Sequence, residues 1–273
     1  MQITFLGTGT SAGVPVIACD CATCRSEDPR DKRWRPSLAL AFDDGTSVLV
    51  DASPDLRAQA LRFRITRVDA ILLTHAHADH VLGLDDVRIY NFRQGGAIPC
   101  HGAARALARV RRMFDYVFDP ATPKGGGLPQ LALRELVGPF SLGGATVIPV
   151  PLLHGTLPVL GFRIGSFAYL TDCNAIPDAS WPLLEGLDTL VLDALRHKAH
   201  RTHFTVDEAV AVARRIGAGR TLFTHMTHDL PHAATCAALP AGISLAYDGL
   251  QLELAPAATA GLLAAGCAAA GLY

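Results

Sequence analysis

The sequence predicts an α/β chain in which two strand-rich, mixed β-sheets pack face to face and are flanked by helices. Three observations carry that expectation. Half of the 273 residues are hydrophobic, short apolar runs recur along the chain, and helical patterns fall between only some of them. Strands this apolar need cover on both faces, and helices this irregularly spaced do not give the strict alternation of a barrel.

Taken in order, the first apolar run is ITFLG (3–7), followed by SLALAF (37–42) and SVLVD (47–51). Each is short, rich in Val, Ile, Leu or Phe, and bounded by Gly, Pro, Asp or Ser, as buried strands are. SPDLRAQALRF (53–63) then reads as a helix, with Ser53 as its cap and Pro54 at its first position. VDAILLT (68–74) is a further strand, and AARALARVRRMFDYVF (103–118) is amphipathic and helical. KGGGLPQ (124–130) reads as a loop. The strands resume with TVIPV (146–150), FAYLTD (167–172) and DTLVLDA (188–194). TVDEAVAVARRIG (205–217) is a helix that opens with Thr205 and Glu208 in capping-box spacing and stops at a glycine. RTLFTH (220–225) and LQLEL (250–254) complete the set.

No internal repeat or polar linker divides the chain, so residues 1–254 read as one domain. The remaining stretch, 255–273, is long enough for a membrane span, yet Ala and Gly dominate it. It reads as a surface-packed terminal helix or a frayed extension, and no membrane partner is expected. A formal net charge of −1 excludes bulk electrostatic attraction to nucleic acid or an anionic membrane as the main binding force. The N-terminal MQITFLGTGTSAGVP lacks the basic, apolar and small-residue regions of a secretory signal. Seven cysteines, three of them in one tight cluster, suit thiolates in a reducing compartment, which points to the cytoplasm.

The most informative stretch is ILLTHAHADHVLGLDD (71–86). It places His75, His77, Asp79 and His80 directly behind a core-like run, where uncompensated polar groups are costly. Imidazole is the commonest metal ligand, and a carboxylate adds a hard oxygen beside it. His154, Asp172 and His225 end three other apolar runs, and strand ends converge along one edge of a sheet. The seven groups divide into two sets: His75, His77 and His154 for one ion, and Asp79, His80 and His225 for a second, with Asp172 bridging. Asp51, which ends SVLVD, is placed to orient the histidine loop by hydrogen bonding.

HAHADH, with the later His154, Asp172 and His225, resembles the metallo-β-lactamase-fold hydrolases. That resemblance implies an αββα four-layer sandwich with a dinuclear metal site at one edge.

A second cluster lies in CDCATC (19–24). Cys19, Cys21 and Cys24 suit a tetrahedral zinc that needs one more ligand, and His228 in THMTH is the best fourth. Such a closed site is structural. Cys100, Cys173, Cys236 and Cys267 are isolated and read as packing residues. Together with GTGTSAGVP and TDCNAIPD, this cluster resembles the phosphodiesterase family of bacterial phosphonate breakdown, which opens phosphoribosyl 1,2-cyclic phosphate. The resemblance spans roughly residues 1–254. It implies two divalent ions, zinc or manganese, at the active site and one structural zinc. It also implies a small phosphodiester as substrate, such as that sugar phosphate or a 2′,3′-cyclic nucleotide, and it leaves a homodimer open.

In that family a histidine works near the leaving group, and His203 in HKAHRTHFTVDEA matches it as general acid. His203 and the ligand Asp79 are therefore the candidate catalytic residues. His197 and His200 read as exposed loop residues. The basic run DPRDKRWRPS (28–37), with Arg30, Lys32, Arg33 and Arg35, reads as a solvated loop that can also attract a phosphate. GTGTSAG lacks the Lys-Ser/Thr ending of a nucleotide-binding loop and reads as a tight turn near the site.

Competing activities on the same scaffold are transfer-RNA 3′ processing and hydrolysis of a lactone or thioester. A non-catalytic metal-binding accessory protein is the alternative from another class. The chain lacks a long basic arm for gripping RNA, and all seven ligand types are present, so a small phosphodiester is the leading expectation.

Overall fold

The structure is a computed structural model that describes residues 1–123, 125 and 127–254. The expectation for the 255–273 tail lies outside these residues. The strands in chain order are β1 (Gln2–Gly7), β2 (Ser37–Ala41), β3 (Ser47–Val50), β4 (Ala70–Leu72), β5 (Ile98–Gly102), β6 (Leu131–Glu135) and β7 (Phe140–Leu142). They continue as β8 (Ala145–His154), β9 (Leu157–Ile164), β10 (Phe167–Leu170), β11 (Thr189–Asp193), β12 (Arg220–Thr224), β13 (Ile243–Leu245) and β14 (Gln251–Glu253). The helices are α1 (Ala22–Arg25), α2 (Leu56–Phe63), α3 (Ala78–Val81), α4 (Arg88–Gln94), α5 (Ala104–Met113), α6 (Asp115–Phe118), α7 (Val206–Ile216) and α8 (His232–Ala238).

Two seven-stranded sheets form, in the orders β14-β1-β2-β3-β4-β5-β6 and β13-β12-β11-β10-β9-β8-β7. Both are mixed. Strands β3 to β6 run parallel, as do β10 to β13, and the other neighbours are antiparallel.

Side-chain alternation along the strands explains the layering. Val48, Val50 and Leu72 from the first sheet meet Phe167, Tyr169 and Val191 from the second in a central core. Their neighbours Leu49 and Ile71 face outward against Leu56, Tyr90, Leu107 and Val110 on the helices of that side. Leu190 and Leu192 likewise pack on Val206, Ala209 and Ala213 of α7. Because both faces of each sheet are buried, the strands read as nearly continuous apolar runs.

Two helix boundaries differ from the sequence reading. Helix α2 begins at Leu56 rather than at Ser53-Pro54, because the Ser53 hydroxyl donates to Gln59 Oε1 and accepts from the Asp55 N–H in a preceding turn. The 103–118 stretch forms two helices, α5 and α6. They break at Phe114 (φ −120°, ψ 41°), whose ring is buried against the first sheet. The helix expected at 205–217 has its capping box and ends at Gly217 in the left-handed conformation (φ 69°). Among the described residues, no helix is long and apolar enough to cross a membrane.

Candidate dinuclear metal centre

The carboxyl ends of parallel strands in both sheets deliver the site, as expected for a crevice at the ends of an open α/β sheet, and the antiparallel β8 adds His154 at its end. Three residues just beyond those ends, Asp51 (φ 62°), Asp172 (φ 52°) and His225 (φ 60°), adopt the left-handed conformation, which is uncommon away from glycine. Each follows a buried strand closely, so the turn aims a polar side chain across the strand ends instead of into the core.

His75 and His77 lie on the loop after β4, and Asp79 and His80 sit on the short helix α3 that continues it. The ligand atoms of His75, His77, His154 and Asp172 all lie within 4.8 Å of one another, and so do those of Asp79, His80, Asp172 and His225. Asp172 belongs to both groups. Its Oδ2 is 3.8 Å from His75 Nε2, while its Oδ1 is 3.1 Å from His80 Nε2 and 3.3 Å from His225 Nε2. Asp79 Oδ2 lies 3.5 Å from both His80 Nε2 and His225 Nε2.

Hydrogen bonds on the far side of the rings set which nitrogen faces the cleft. His80 Nδ1 donates to Asp51 Oδ2 at 2.7 Å. His75 Nδ1 donates to Thr74 Oγ1 at 3.0 Å, and that hydroxyl donates to Asp51 Oδ2 at 2.8 Å. His154 Nδ1 donates to the Thr202 carbonyl at 2.8 Å. All three rings thus present Nε2, the pattern by which outer hydrogen bonds fix the tautomer of a metal-binding histidine.

Nε2 of His75, His80 and His225 is buried with no hydrogen-bond partner. Buried imidazole nitrogens without partners are costly. Here they converge on two carboxylates at separations suited to sharing a cation. The electrostatics agree. Burial disfavours charge on His80, yet the Asp172 and Asp51 carboxylates outweigh it and hold the imidazole well above its ordinary value. Burial likewise opposes ionisation of Asp79 and Asp172, and the neighbouring histidines still hold both carboxyls below the usual range. Burial holds the His75, His77 and His154 imidazoles below their ordinary range, so those rings stay neutral as ligands. Around Asp79 and Asp172 the pocket calls for positive charge, and the donor set of nitrogen and carboxylate oxygen fits two divalent ions.

His203 is buried beside this centre, its ring 4.7 Å from His225 and 4.6 Å from His154. Its Nδ1 lies 3.1 and 3.2 Å from the two carboxylate oxygens of Asp193. The sequence reading did not single out Asp193. It ends β11, between the strands that deliver Asp172 and His225, and is fully buried. The available signal was the one that identified Asp51: an acid closing an apolar run, here VLDA. His197 and His200 are exposed, as expected, although the His200 ring stands 5.1 Å from that of His203.

The second cluster also assembles. The Sγ atoms of Cys19, Cys21 and Cys24 lie 3.3, 3.6 and 3.4 Å from His228 Nδ1. Backbone N–H groups of Val16 and Cys24 donate to Cys24 Sγ and Cys21 Sγ, as they do to thiolates that hold a metal. Four donors closed on one another fit a tetrahedral zinc and leave no open position.

The basic run beside this loop is not simply solvated. Arg33 is fully buried; its guanidinium donates to the carbonyls of Thr227 (2.7 Å) and Leu230, on either side of His228. Arg30 is held by Asp28 at 2.7 Å, and Lys32 donates to the Cys24 carbonyl at 3.2 Å. GTGTSAG packs against this run. A Cβ on Gly9 would lie 2.8 Å from the Arg33 carbonyl oxygen, so only glycine fits without a shift.

The family described as "Beta-lactamase superfamily domain" matches residues 46–226. A crystal structure of a new diphosphatase from the PhnP family is 48% identical and superposes with a TM-score of 0.87, covering 93% of this chain and 98% of that one. An octanoyltransferase of Porphyromonas gingivalis is 39% identical over 253 residues, which are 92% of this chain and 51% of that protein. The chain therefore spans about half the length of that relative. Zn(2+)-bound PqqB from Methylobacterium extorquens shares 22% identity with a TM-score of 0.77, covering 93% of this chain and all of that one, a likeness of fold.

Proposed function

The chain belongs to the beta-lactamase superfamily and is a hydrolase of the metallo-β-lactamase fold, and we propose that it is a dinuclear metal-dependent phosphodiesterase acting on small cyclic phosphodiesters. The observation that carries this reading is Asp172, whose two carboxylate oxygens are divided between two groups of nitrogen and oxygen donors. In this reading His75, His77 and His154 hold one ion and Asp79, His80 and His225 the other. Cys19, Cys21, Cys24 and His228 hold a structural zinc. Clustered thiols of this kind suit a reducing compartment, and the proposed location is cytoplasmic.

Two divalent ions bound there would supply Lewis acidity toward phosphoryl oxygens and a water made acidic enough to attack at neutral pH. The chain's own residues supply the rest. Asp51, Thr74 and the Thr202 carbonyl hold three imidazoles in one tautomer and one orientation, so the centre needs little reorganisation during reaction. His203 and Asp193 handle the leaving-group proton. Burial pushes the Asp193 carboxyl well up and the His203 imidazole down to about 4, His225 adding to the latter. A proton on Asp193 donates to His203 Nδ1, and Nε2 then carries a hydrogen on the opposite ring edge. As Nε2 releases that hydrogen to the departing oxygen, Nδ1 takes the one from Asp193. The imidazole stays neutral, and the negative charge taken from the departing oxygen comes to rest on Asp193, whose Oδ2 accepts from the Phe204 N–H at 3.1 Å.

The similarity to a PhnP-family diphosphatase favours a second reading, hydrolysis of a small diphosphate. A cyclic phosphodiester and a diphosphate linkage both present a phosphorus carrying two ester or anhydride oxygens, so the same donors serve either. A panel separates them. Protein reconstituted with zinc or with manganese is assayed on bis(p-nitrophenyl) phosphate, a ribose 1,2-cyclic phosphate, a 2′,3′-cyclic nucleotide, a small organic diphosphate, p-nitrophenyl phosphate and a lactone. The proposal expects turnover of the diesters, fastest with a cyclic one, and none of the monoester or lactone. Failure on every diester with the metals loaded would reject it, and turnover of the diphosphate alone would select the second reading.

A further inference from the structure

A cavity of about 320 Å³ lies apart from every proposed metal ligand, and its walls gather most of the basic run at 28–37. Lys32, Arg33, Trp34 and Arg35 contribute one side, Arg62 of α2 another, and the loop around Gly13 a third. Gly13 is left-handed (φ 64°), and a Cβ there would meet the Arg33 carbonyl oxygen at 3.2 Å, so this wall requires a bare backbone.

The charges around the cavity are unevenly spent. Two carboxylates line it, and both are engaged. Asp248 accepts from the Thr8 N–H, the Thr8 hydroxyl and the Trp34 N–H at 2.7–2.9 Å, and Asp55 accepts from the Arg35 N–H and guanidinium at 2.8–2.9 Å. The cations are less fully used. Arg35 Nε is buried with no hydrogen-bond partner. Arg62 forms no ion pair with any described carboxylate; its guanidinium sits 5.2 Å from the Trp34 ring centroid and 5.4 Å from that of Phe63. Lys32 has one carbonyl, that of Cys24, as its partner. The Trp34 and Phe63 rings meet edge to face at 79°, and the Arg62 guanidinium lies within cation–π reach of both while forming no ion pair, which leaves its N–H groups available to an oxyanion.

We propose that this cavity binds a small phosphate-bearing molecule, with Arg62 and Lys32 as its donors. The volume is at the lower end of small-molecule sites and exceeds what a bare phosphate fills, which favours a compact organic phosphate monoester. The inference is independent of the activity proposed for the dinuclear centre. The loop that forms one wall leaves β1 through Thr10, whose N–H donates to the Met226 carbonyl at 3.0 Å, one residue past His225. Arg33 in another wall holds the carbonyls on both sides of His228. An occupant would therefore rest on the backbone that carries one residue from each metal cluster.

The test uses Trp34 as reporter. The chain has two tryptophans, so Trp181→Phe leaves Trp34 alone. Metal-loaded protein with this change is titrated with ribose 5-phosphate, inorganic phosphate and, as a control, ribose. The expected result is a saturable change in Trp34 emission with ribose 5-phosphate, weakened at least tenfold by Arg62→Gln with Lys32→Gln and unaltered by Asp172→Asn. An equal response to inorganic phosphate assigns the site to phosphate itself, and a response to ribose 5-phosphate alone assigns it to the organic ester; either supports the proposal. No saturable change, an equal response to ribose, or a response abolished by Asp172→Asn but kept in the Arg62/Lys32 variant would overturn it. Calorimetric titration of the same proteins gives a second reading that does not depend on fluorescence, and unchanged bound zinc in the Arg62/Lys32 variant shows that it is folded.

Discussion

Asp51 Oδ2 and His80 Nδ1 are 2.7 Å apart, both side chains fully buried, and the same oxygen accepts the Thr74 hydroxyl that orients His75. One carboxylate thus fixes a ring from each of the two proposed ion sites. Asp51→Asn preserves shape and tolerates the left-handed backbone that Asp51 adopts. It loses the acceptor charge behind His80. The expected outcome is metal affinity at the centre weakened about 10–100-fold, read by competition with a chelator, while the structural zinc is retained.

The Asp193–His203 contact at 3.1 Å gives a second expectation. Asp193→Asn and His203→Ala should each lower kcat about 10²–10⁴-fold on a cyclic phosphate with a poor alkoxide leaving group. On bis(p-nitrophenyl) phosphate, whose leaving group needs no proton, the losses should be much smaller. Equal losses on both substrates would remove the proton-transfer role.

The cysteine cluster is expected to act on folding before chemistry. Cys21 caps α1, and its sulfur accepts from the Cys24 N–H, so Cys21→Ser keeps a capping hydroxyl while weakening the metal site. The variant should lose the structural zinc, and its Tm should fall on the order of 10 °C. The activity of molecules still folded at 25 °C should stay within a few-fold of wild type.

How far this architecture could be read from the sequence depends on what each signal measures. The seven proposed ligands were legible because each polar residue interrupts or closes an apolar run, a pattern that a core alone does not favour. The strands ending at Asp51, Asp172 and His225 were legible for the same reason. Strand β9, LPVLGFRI, was not: Pro158 and Gly161 read as punctuation. A Cβ at Gly161 would approach the Tyr169 carbonyl oxygen at 2.8 Å, so the glycine marks a close strand contact that exists only after folding. The three-residue β7 and β13 lie in no longer apolar run, and β5, IPCHG, is interrupted by Pro99 and closes on His101-Gly102. Arg33 was misread because its partners, the Thr227 and Leu230 carbonyls, lie about two hundred positions away. Asp193 was missed because its strand supplies no proposed metal ligand.

His232 gives a pH dependence whose sign can be stated. Burial, with Arg30 and Arg33 nearby, pushes its imidazole down to about 4. It is therefore neutral in the fold, while the unfolded chain takes up a proton near pH 6.5. Between those values the unfolded state binds more protons, so the stability from a neutral His232 is present above about pH 6.5 and is lost as pH falls toward 4. Urea midpoints at pH 7.5 and pH 5.0 should drop further for wild type than for His232→Gln. A drop of equal size in both would show that His232 is not the group responsible.

The division of Asp172 between two sets of donors is tested most directly by counting ions against activity. Metal-depleted protein that keeps its structural zinc is titrated with manganese while hydrolysis of bis(p-nitrophenyl) phosphate is followed. The account predicts that activity reaches its plateau at about two equivalents, and that Asp172→Asn neither holds the second ion nor turns over. Full activity at a single equivalent, or an Asp172→Asn variant that still binds two ions and hydrolyses the diester, would contradict it.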